Sequence, residues 1–518
     1  MQEIKDSAVE TKNYTVAVDL GSSSVVVAVG ETRDDGRRHV AAVVSKPVEG
    51  VNAGRIDNIE LVSRAIREAV SEVEAQLGIR ITEAYAGISG DFVRCARHTD
   101  HVYPETGVSQ RDVDALFDRM RNVQAPDDET IMERIPQNYM VDDSQEVKNP
   151  VGSFGKKLSS TFNFILCHKT PIQRLDMALK RLSIKMLGVF SDALATPEAV
   201  LLPEEKEEGV AVVDLGAGVT DVTVYYRNVV RYTVSIPMGA SAINRDIRTM
   251  GVPEKHVESL KRRYGSAVAE LAPEDKLIRV NGRTAREAKD ILLRNLATVI
   301  EARATDIAEF VQQEIKDSGY ASKLAYGIVL TGGSAQLKDL DELFRRVTET
   351  DVRVAVPDVG IAEESGELAA NPAYATAVGI LLKGAAQGAC AVVEFVAPAA
   401  SAPAASAPAA QPAAPARPAP AQPRPAASEP RRGFVPPAAQ PAAQPAPQPA
   451  PAPRPAQPRA AQPRPVQPQP EAPAPTAQPV ARIPARQPAP QQEPPRIEPR
   501  QPLAAQPEPE EERPVVID

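Results

Sequence analysis

Cysteine is scarce in this 518-residue sequence, and its spacing matches neither a metal site nor a disulfide framework. The three cysteines, Cys95, Cys167 and Cys390, are far apart and odd in number. Buried or idle thiols in a reducing cytoplasm are the expectation.

Long hydrophobic runs are absent as well. Residues 1–13 are polar and carry both charge signs, unlike a secretory leader. The apolar segment at 385–400 is interrupted by Gln387, Glu394 and Pro398, so no run approaches the ~20 residues that a membrane span needs. The sequence therefore predicts a cytoplasmic protein, or one that lies on a membrane surface without spanning it.

Positive charge is in deficit before residue 398. The whole chain has a net charge of −9, whereas residues 398–518 carry 12 Arg, no Lys and 9 acidic residues, which leaves the remainder at −12. An acidic globular part argues against general nucleic-acid binding.

The C-terminal part has too little apolar content to fold by itself. It holds 37 of the 50 prolines, interleaved with Ala, Gln and Arg, and is predicted to be a disordered, semi-extended tether over 396–518. Its Pro-x-x-Pro pieces are alternative ligand motifs, but chance matches are frequent in such a tract. Residues 508–518 break the pattern with an acidic run and Val-Val-Ile, which suggests a short docking peptide.

One pattern occurs twice. An apolar strand, an acidic residue, a Gly-containing turn and a second strand begin at Val16 and recur 195 positions later. Asp19 and Asp214 are the equivalent acidic residues. A single such hairpin would be ordinary, but two matching copies predict two similar halves whose turns meet across a cleft.

Turns of this kind bind phosphates through backbone N–H groups and hydroxyls, while acidic residues behind them hold hydrated Mg²⁺. Asp19 and Asp214 are therefore the candidate Mg²⁺ ligands, through water, and the candidate catalytic carboxylates. The candidate phosphate-binding residues in the turns are Gly21, Ser22, Ser23, Ser24, Gly216, Ala217, Gly218, Val219 and Thr220.

Two further motifs would complete a nucleotide site. Glu258 and Lys261 share a helical face, where the carboxylate could bind ribose hydroxyls and the ammonium could steady the nucleoside; a surface ion pair is the alternative. Gly332 and Gly333, followed by Ser334, end an apolar strand and would let the backbone approach a flat base.

The order of these motifs resembles the superfamily of actin, sugar kinases and heat-shock chaperones. Within it, residues 135–139 (Ile-Pro-Gln-Asn-Tyr), 148–152 (Lys-Asn-Pro-Val-Gly), 213–221, 327–336 and 374–379 resemble the bacterial FtsA family. The resemblance covers roughly residues 14–385.

The resemblance implies an α/β fold: an actin-like pair of halves with an inserted, SHS2-like α+β subdomain. The expected segments are 14–83 for the start of the first half, 84–170 for the insertion, 171–205 for the return, 206–390 for the second half and 396–518 for the tail.

FtsA-like proteins bind ATP and Mg²⁺ and polymerise. They also bind the C-terminal peptide of the tubulin-like FtsZ. They link its ring to the cytoplasmic face of the inner membrane at the division site and recruit later division proteins. By this resemblance, the FtsZ peptide docks within about 240–318 and the insertion contacts neighbouring copies and later partners.

Three departures qualify these expectations. Many family members carry Lys where this chain has Ser24, so one phosphate countercharge is missing. Weak hydrolysis would require a group that positions water; Glu198 is a candidate, and a helix-start Glu that stabilises the helix dipole is the alternative. The C-terminus lacks the family's amphipathic anchor helix, so membrane contact is expected either directly by another route or through a partner.

Other function classes remain as alternatives. An actin-like shape or pilus-assembly filament protein would share the nucleotide clamp, but the phrase at 148–152 argues against it. A nucleotide-driven chaperone would need a β-rich substrate domain after the core, where this chain has the Pro-rich tail.

Overall fold

Two five-stranded sheets of the same design form the framework of the chain, whose computed structural model describes residues 13–33, 36–280 and 289–394. The first sheet has the spatial order β3 (Arg38–Pro47), β2 (Ser24–Thr32), β1 (Tyr14–Leu20), β7 (Glu83–Ile88) and β12 (Lys185–Ser191). The second has the order β15 (Val229–Ile236), β14 (Thr220–Tyr226), β13 (Val210–Leu215), β18 (Ile328–Thr331) and β19 (Val352–Val354). In each sheet the central strand pairs antiparallel with the next strand and parallel with a later one. The predicted duplication is confirmed.

Helices cover these sheets, so the central strands are buried on both faces. The first half contains α1 (Ile59–Leu77), α3 (Lys169–Lys180), α4 (Asp192–Val200) and α11 (Ala375–Gln387), with α5 (Pro203–Glu208) leading into the second half. The short strands β4 (Val51–Asn52) and β5 (Arg55–Ile56) form one small pair, and β6 (Ile79–Ile81) pairs with β20 (Val392–Glu394).

The start of α1 follows directly from its sequence. The side chain of Asn58 accepts hydrogen bonds from the backbone N–H groups of Glu60 and Leu61, at 3.0 and 3.2 Å. Residues spaced along one face, including Val62, Ile66 and Val73, are buried against the first sheet. Residues 59–77 therefore form an amphipathic helix with Asn58 as its cap.

The second half carries α6 (Ser241–Thr249), α7 (Glu254–Tyr264), α8 (Leu293–Asp317) and α9 (Leu340–Thr348), whereas α10 (Gly366–Ala369) contacts β3 of the first sheet. The segment 240–318 also contains an antiparallel pair of short strands, β16 (Leu277–Val280) and β17 (Lys289–Leu292). These strands are too short for a clear period-2 pattern.

A separate four-stranded sheet is inserted into the first half. Its order is β10 (Gln145–Val147), β9 (Glu129–Val141), β11 (Leu158–His168) and β8 (Val93–Val102), and α2 (Gln110–Arg121) packs on it. The expected boundary at 84 falls within β7, which lies between β1 and β12 in the first sheet, so the inserted sheet begins only at Val93. An apolar strand does not reveal from its sequence which sheet it joins.

The insertion is hydrogen-bonded to the second half. Asn163 on β11 donates to the carbonyl oxygens of Val230 and Arg231 at 3.3 and 3.1 Å. The buried guanidinium of Arg231 donates to Gln137 Oε1 at 3.1 Å. The inserted subdomain is thus covalently part of the first half while its sheet contacts β15 of the second.

The remaining expectations concern cysteines, membrane spans and the tail. Cys95, Cys167 and Cys390 are free thiols; Cys167 and Cys390 are buried and Cys95 is half-buried. Within residues 13–33, 36–280 and 289–394, no helix is both long and apolar enough to cross a membrane. The predicted tail, 396–518, lies outside the described residues.

Candidate nucleotide-binding cleft

The two repeated turns have the same backbone hydrogen bond. Gly21 N donates to Ser24 O and Gly216 N donates to Val219 O, both at 3.0 Å. The residue after each aspartate pairs with the first residues of the returning strand, Leu20 with Val25 and Leu215 with Thr220. The sequence repeat is therefore a structural repeat at the level of individual hydrogen bonds.

The two turns meet. A Cβ atom on Gly218 would lie 2.4 Å from Ser22 Oγ and 3.1 Å from Ala53 N. Ser22 Oγ in turn accepts a hydrogen bond from Gly54 N at 3.1 Å. Only glycine at 218 leaves room for this approach of the two halves.

A cavity of about 1030 Å³ lies where the turns meet, and its size suits a nucleotide. Fifteen predicted site residues line it: Asp19, Gly21, Ser22, Ser23, Ser24, Asp214, Gly216, Ala217, Gly218, Val219, Glu258, Lys261, Gly332, Gly333 and Ser334.

Two predicted site residues do not line the cavity. Thr220 is fully buried, and its hydroxyl donates to Met238 O at 2.7 Å, where it supports the turn from behind. Glu198 lies near the end of α4 and pairs with Lys206 at 2.9 Å. Neither interpretation of Glu198 holds in the structure, because it lies away from both the cavity lining and the start of its helix.

Four aspartates line the cavity: Asp19, Asp192, Asp214 and Asp221. Burial raises the pKa of Asp19 to about 8, with further contributions from the charges of Asp214 and Asp221. Burial and the charge of Asp214 raise the pKa of Asp221 to about 7. Burial also raises the pKa of Asp192, and the charge of Asp19 adds to it. Such a cluster favours a cation or protons between its members.

Hydroxyl groups that donate hydrogen bonds to Asp214 and Asp221 act in the opposite direction and lower the pKa values of these two carboxyl groups. Asp214 Oδ2 accepts from Thr376 at 2.7 Å and from Thr196 at 2.8 Å. These bonds lower the pKa of Asp214, although burial raises it overall. Asp221 accepts from Ser89 at 2.7 Å and also from Ser235.

Asp192 differs from the other three. It is the first residue of α4, and its Oδ1 is buried without a hydrogen-bond partner among the described residues. A side chain at Gly87 would collide with that oxygen, at 2.1 Å. Asp192 is thus a carboxylate held at the cavity wall with an unused acceptor.

The Glu-x-x-Lys pair lies at another wall of the cavity. Lys261 Nζ is 2.8 Å from Glu258 Oε2, and Asn244 donates to the same oxygen at 2.8 Å. Burial alone would raise the pKa of Glu258, but these two partners hold it below its ordinary value. Lys261 is buried, so this is more than a surface ion pair.

The strand that ends in Gly332 joins the second hairpin. Gly332 has φ +88°, and a Cβ atom there would lie 2.3 Å from Asp214 Oδ1. Ser334 Oγ donates to Gly216 O at 3.0 Å. The Gly-Gly motif therefore contacts the second of the two repeated turns as well as the cavity.

Positive charge around the cavity is limited. Among the residues that the structure describes, its basic side chains are Lys261 and Arg262. In the part of the chain that the structure describes, no three His, Cys, Asp or Glu side chains are placed to hold one metal ion directly. A hydrated cation, held through water, fits this arrangement.

Sequence reasoning missed Asp192, Asp221, Ser89 and Thr376. Asp221 lies inside the repeated motif, but its equivalent in the first hairpin is Val26, so the repeat did not mark it. Asp192 is the first residue of α4, and Thr376 is the second residue of α11. No local motif links either residue to Asp214, and only the fold brings them to it.

Comparison with known proteins agrees with this architecture. The family model described as cell division protein FtsA matches residues 211–379, and the model described as the SHS2 domain inserted in FtsA matches residues 94–166. Among solved structures, the PilM–PilN type IV pilus biogenesis complex superposes with a TM-score of 0.50 at 15% identity. The match covers 71% of this chain and 98% of that one, and it shows the fold alone.

Curated relatives extend over most of the described chain. The cell division protein FtsA of Escherichia coli strain K12 is 31% identical over 381 residues, which are 71% of this chain and 90% of the relative. FtsA of Pseudomonas aeruginosa is 30% identical over 380 residues, 73% of this chain and 91% of the relative. The resemblance noted in the sequence is confirmed, and the chain belongs to the FtsA family of actin-like cell division proteins.

Proposed function

We propose that the chain binds ATP with Mg²⁺ in the cleft between its two halves. The observation that carries this proposal is the meeting of the two repeated turns at one cavity with Asp19 and Asp214 behind them. Backbone N–H groups of both turns and the hydroxyls of Ser22, Ser23 and Ser24 would bind the phosphates. Bound Mg²⁺ would add positive charge to a cavity whose basic side chains, among the described residues, are Lys261 and Arg262.

The orphaned acceptor of Asp192 and the raised pKa of Asp19 support a cation at this place. Glu258 and Lys261 would bind the ribose and nucleoside, and Gly332 and Gly333 would leave room for the base. If hydrolysis occurs, we infer that Asp192 rather than Glu198 orients the water, because Asp192 lines the cavity. Its carboxylate would hold the water by accepting a hydrogen bond.

We further propose that the chain polymerises, binds the C-terminal peptide of FtsZ and recruits later divisome proteins. Membership of the FtsA family supports these roles. The peptide site is proposed within about 240–318. The proposed role of the inserted subdomain is contact with neighbouring copies and later partners.

We also propose that the chain links the FtsZ ring to the cytoplasmic face of the inner membrane, directly or through a partner. Flotation of the full-length chain on anionic liposomes, with and without Mg-ATP, tests direct attachment. Flotation supports a direct link, whereas its absence leaves attachment to a partner.

Fluorescence anisotropy of a labelled FtsZ C-terminal peptide, titrated with the full-length chain, tests the division role. We expect saturable binding at micromolar concentrations and none to a scrambled peptide. Lack of binding would contradict the division role in its specific form.

Single alanine substitutions would test the position of the peptide site. Tyr264, Leu271 and Leu277 are exposed in the 240–318 segment, and Tyr326 is a matched control outside it, as exposed as Tyr264. At least one of the first three substitutions should weaken binding, whereas Tyr326→Ala should not. The proposed location is wrong if all four variants bind like wild type.

A further inference from the structure

A hydrogen-bonded group of side chains lies beside the Gly-Gly motif at the cavity wall. Gln336, Asn371 and Ala373 line the cavity, as Gly332 and Gly333 do. A Cβ atom on Gly333 would lie 3.6 Å from that of Ala373. Gln336 ends the single helical turn that begins at Gly333. These residues are therefore contiguous with the place proposed for the base.

The side-chain amide of Asn371 has a defined orientation. Its Oδ1 accepts a hydrogen bond from Ala373 N at 2.9 Å. A backbone N–H group can only donate, so the oxygen of the Asn371 amide, and not its nitrogen, occupies this position. The same oxygen accepts from Gln336 Nε2 at 3.0 Å. Asn371 thus presents an acceptor to Gln336.

The orientation of the Gln336 amide follows from its two partners. Its Nε2 donates to Asn371 Oδ1 and also to Gly333 O, the latter at 3.2 Å. Both partners are acceptors, so both hydrogens of this nitrogen are used. In the described part of the chain these are the hydrogen bonds of the Gln336 amide, and neither involves its Oε1. Gln336 therefore offers a free carbonyl acceptor on an exposed side chain that lines the cavity.

The residues proposed to hold the ribose lie on a neighbouring segment. Glu258 and Lys261 belong to α7 and line the same cavity. Shortly after the end of α7, Ala267 N donates to Lys338 O at 2.8 Å. The chain that follows α7 is thus hydrogen-bonded to the chain that follows Gln336. The proposed ribose site and Gln336 are therefore carried by segments that contact each other.

We propose that Gln336 selects adenine over guanine by accepting a hydrogen bond from the 6-amino group of the base, with Asn371 as the positioning residue that orients its amide. Adenine has an amino donor at position 6, whereas guanine has a carbonyl acceptor there. Guanine would bring two acceptors together, its O6 and Gln336 Oε1. The inference rests on the proposed nucleotide binding and adds which residues distinguish the base.

The exposure of Gln336 determines the size of the effect. Water can hydrate Oε1 when the base has no amino group, so the loss is that of one neutral hydrogen bond and not that of a buried, unpaired acceptor. Purine riboside triphosphate carries hydrogen in place of the 6-amino group of ATP. We expect the wild type to prefer ATP over this analogue about fivefold. GTP should bind more weakly still.

Calorimetric titration of the full-length chain with the Mg²⁺ complexes of ATP and of purine riboside triphosphate measures this preference. Gln336→Leu should bind ATP about fivefold more weakly than the wild type. It should bind the analogue as the wild type does, which also checks that the variant is folded. Gln313→Leu is the matched control, because Gln313 makes an exposed hydrogen bond to Asp317 on α8 outside the cavity lining. This control should keep the wild-type preference.

Variants of Asn371 test the positioning role. Asn371→Ala removes the acceptor that orients Gln336, so the amide can turn its nitrogen toward the O6 of guanine. The ratio of ATP affinity to GTP affinity should therefore fall. Asn371→Asp keeps the acceptor oxygen and should keep the ratio. Equal losses of both affinities in Asn371→Ala, with the ratio unchanged, would overturn the positioning role.

The outcomes separate this inference from the proposed nucleotide site. Equal affinity of the wild type for ATP and for purine riboside triphosphate would overturn the inference and leave nucleotide binding intact. An unchanged preference in Gln336→Leu would also overturn it, because another group would then distinguish the base. Absence of binding by all three nucleotides would contradict the nucleotide site itself, and the inference with it.

Discussion

Thr376 Oγ1 donates a hydrogen bond to Asp214 Oδ2 over 2.7 Å, so the last helix of the core touches a carboxylate of the second hairpin. A hydrogen bond to a charged group contributes about 1.5–3 kcal/mol. We therefore expect Thr376→Val to raise the pKa of Asp214 and to weaken Mg-ATP binding about tenfold at pH 7. Calorimetric titration measures the affinity, and Thr298→Val on exposed α8 surface is the control. Equal affinities of the two variants would contradict this prediction.

The pKa values in the carboxylate cluster predict a pH-dependent stability. The pKa of Asp19 is raised from 3.8 to about 8 and that of Asp221 to about 7, so the folded state binds more protons than the unfolded state between pH 4 and 8. The free energy of unfolding of the nucleotide-free protein should therefore fall as pH rises through this range. Urea denaturation at pH 5.5, 7 and 8.5 measures it. Asp19→Asn should flatten the profile, and an unchanged slope would show that Asp19 titrates normally.

Gly218 tests the approach of the two turns. A methyl group there would lie 2.4 Å from Ser22 Oγ, whereas one at Gly366 would meet no atom within 4 Å. We expect Gly218→Ala to move the turns apart and to lower Mg-ATP affinity about tenfold or more, in line with loss of about 1.4 kcal/mol. Gly366→Ala should bind nucleotide normally. The same calorimetric titration applies, and comparable affinities would mean that the turns need not touch.

Ser24→Lys should strengthen nucleotide binding. Ser24 lines a cavity whose basic side chains, among the described residues, are Lys261 and Arg262. A lysine at 24 would add a phosphate countercharge, and we expect about a tenfold gain in affinity at low salt that shrinks as salt screens it. Ser24→Gln is the control for side-chain size. A gain that is insensitive to salt, or equal for Gln, would exclude a charge effect.

Asp192 and Glu198 offer a direct comparison for hydrolysis. Asp192 lines the cavity with a free acceptor oxygen, whereas Glu198 pairs with Lys206. Any ATPase activity of the full-length chain should fall at least about tenfold in Asp192→Asn and remain near wild type in Glu198→Gln. Phosphate release measures the rate and calorimetry checks that ATP still binds. The reverse pattern would restore Glu198 as the water-positioning residue.

The sequence alone determined the duplicated core and most of the site. The repeat around Asp19 and Asp214 predicted two equivalent hairpins, because strand, acidic residue and Gly turn are local features. The Glu258–Lys261 pair and the Gly332–Gly333 turn were likewise readable from short motifs, and all of them line one cavity.

The tertiary structure decided what depends on distant segments. Only the fold brings Asp192 and Thr376 to the cavity, directs Thr220 behind the turn and leaves Glu198 with Lys206. It also placed β7 in the first sheet rather than in the insertion, because pairing is chosen among strands far apart in the chain. Local patterns specify which elements form, whereas the cost of burying each polar group is settled only by the neighbours that packing supplies.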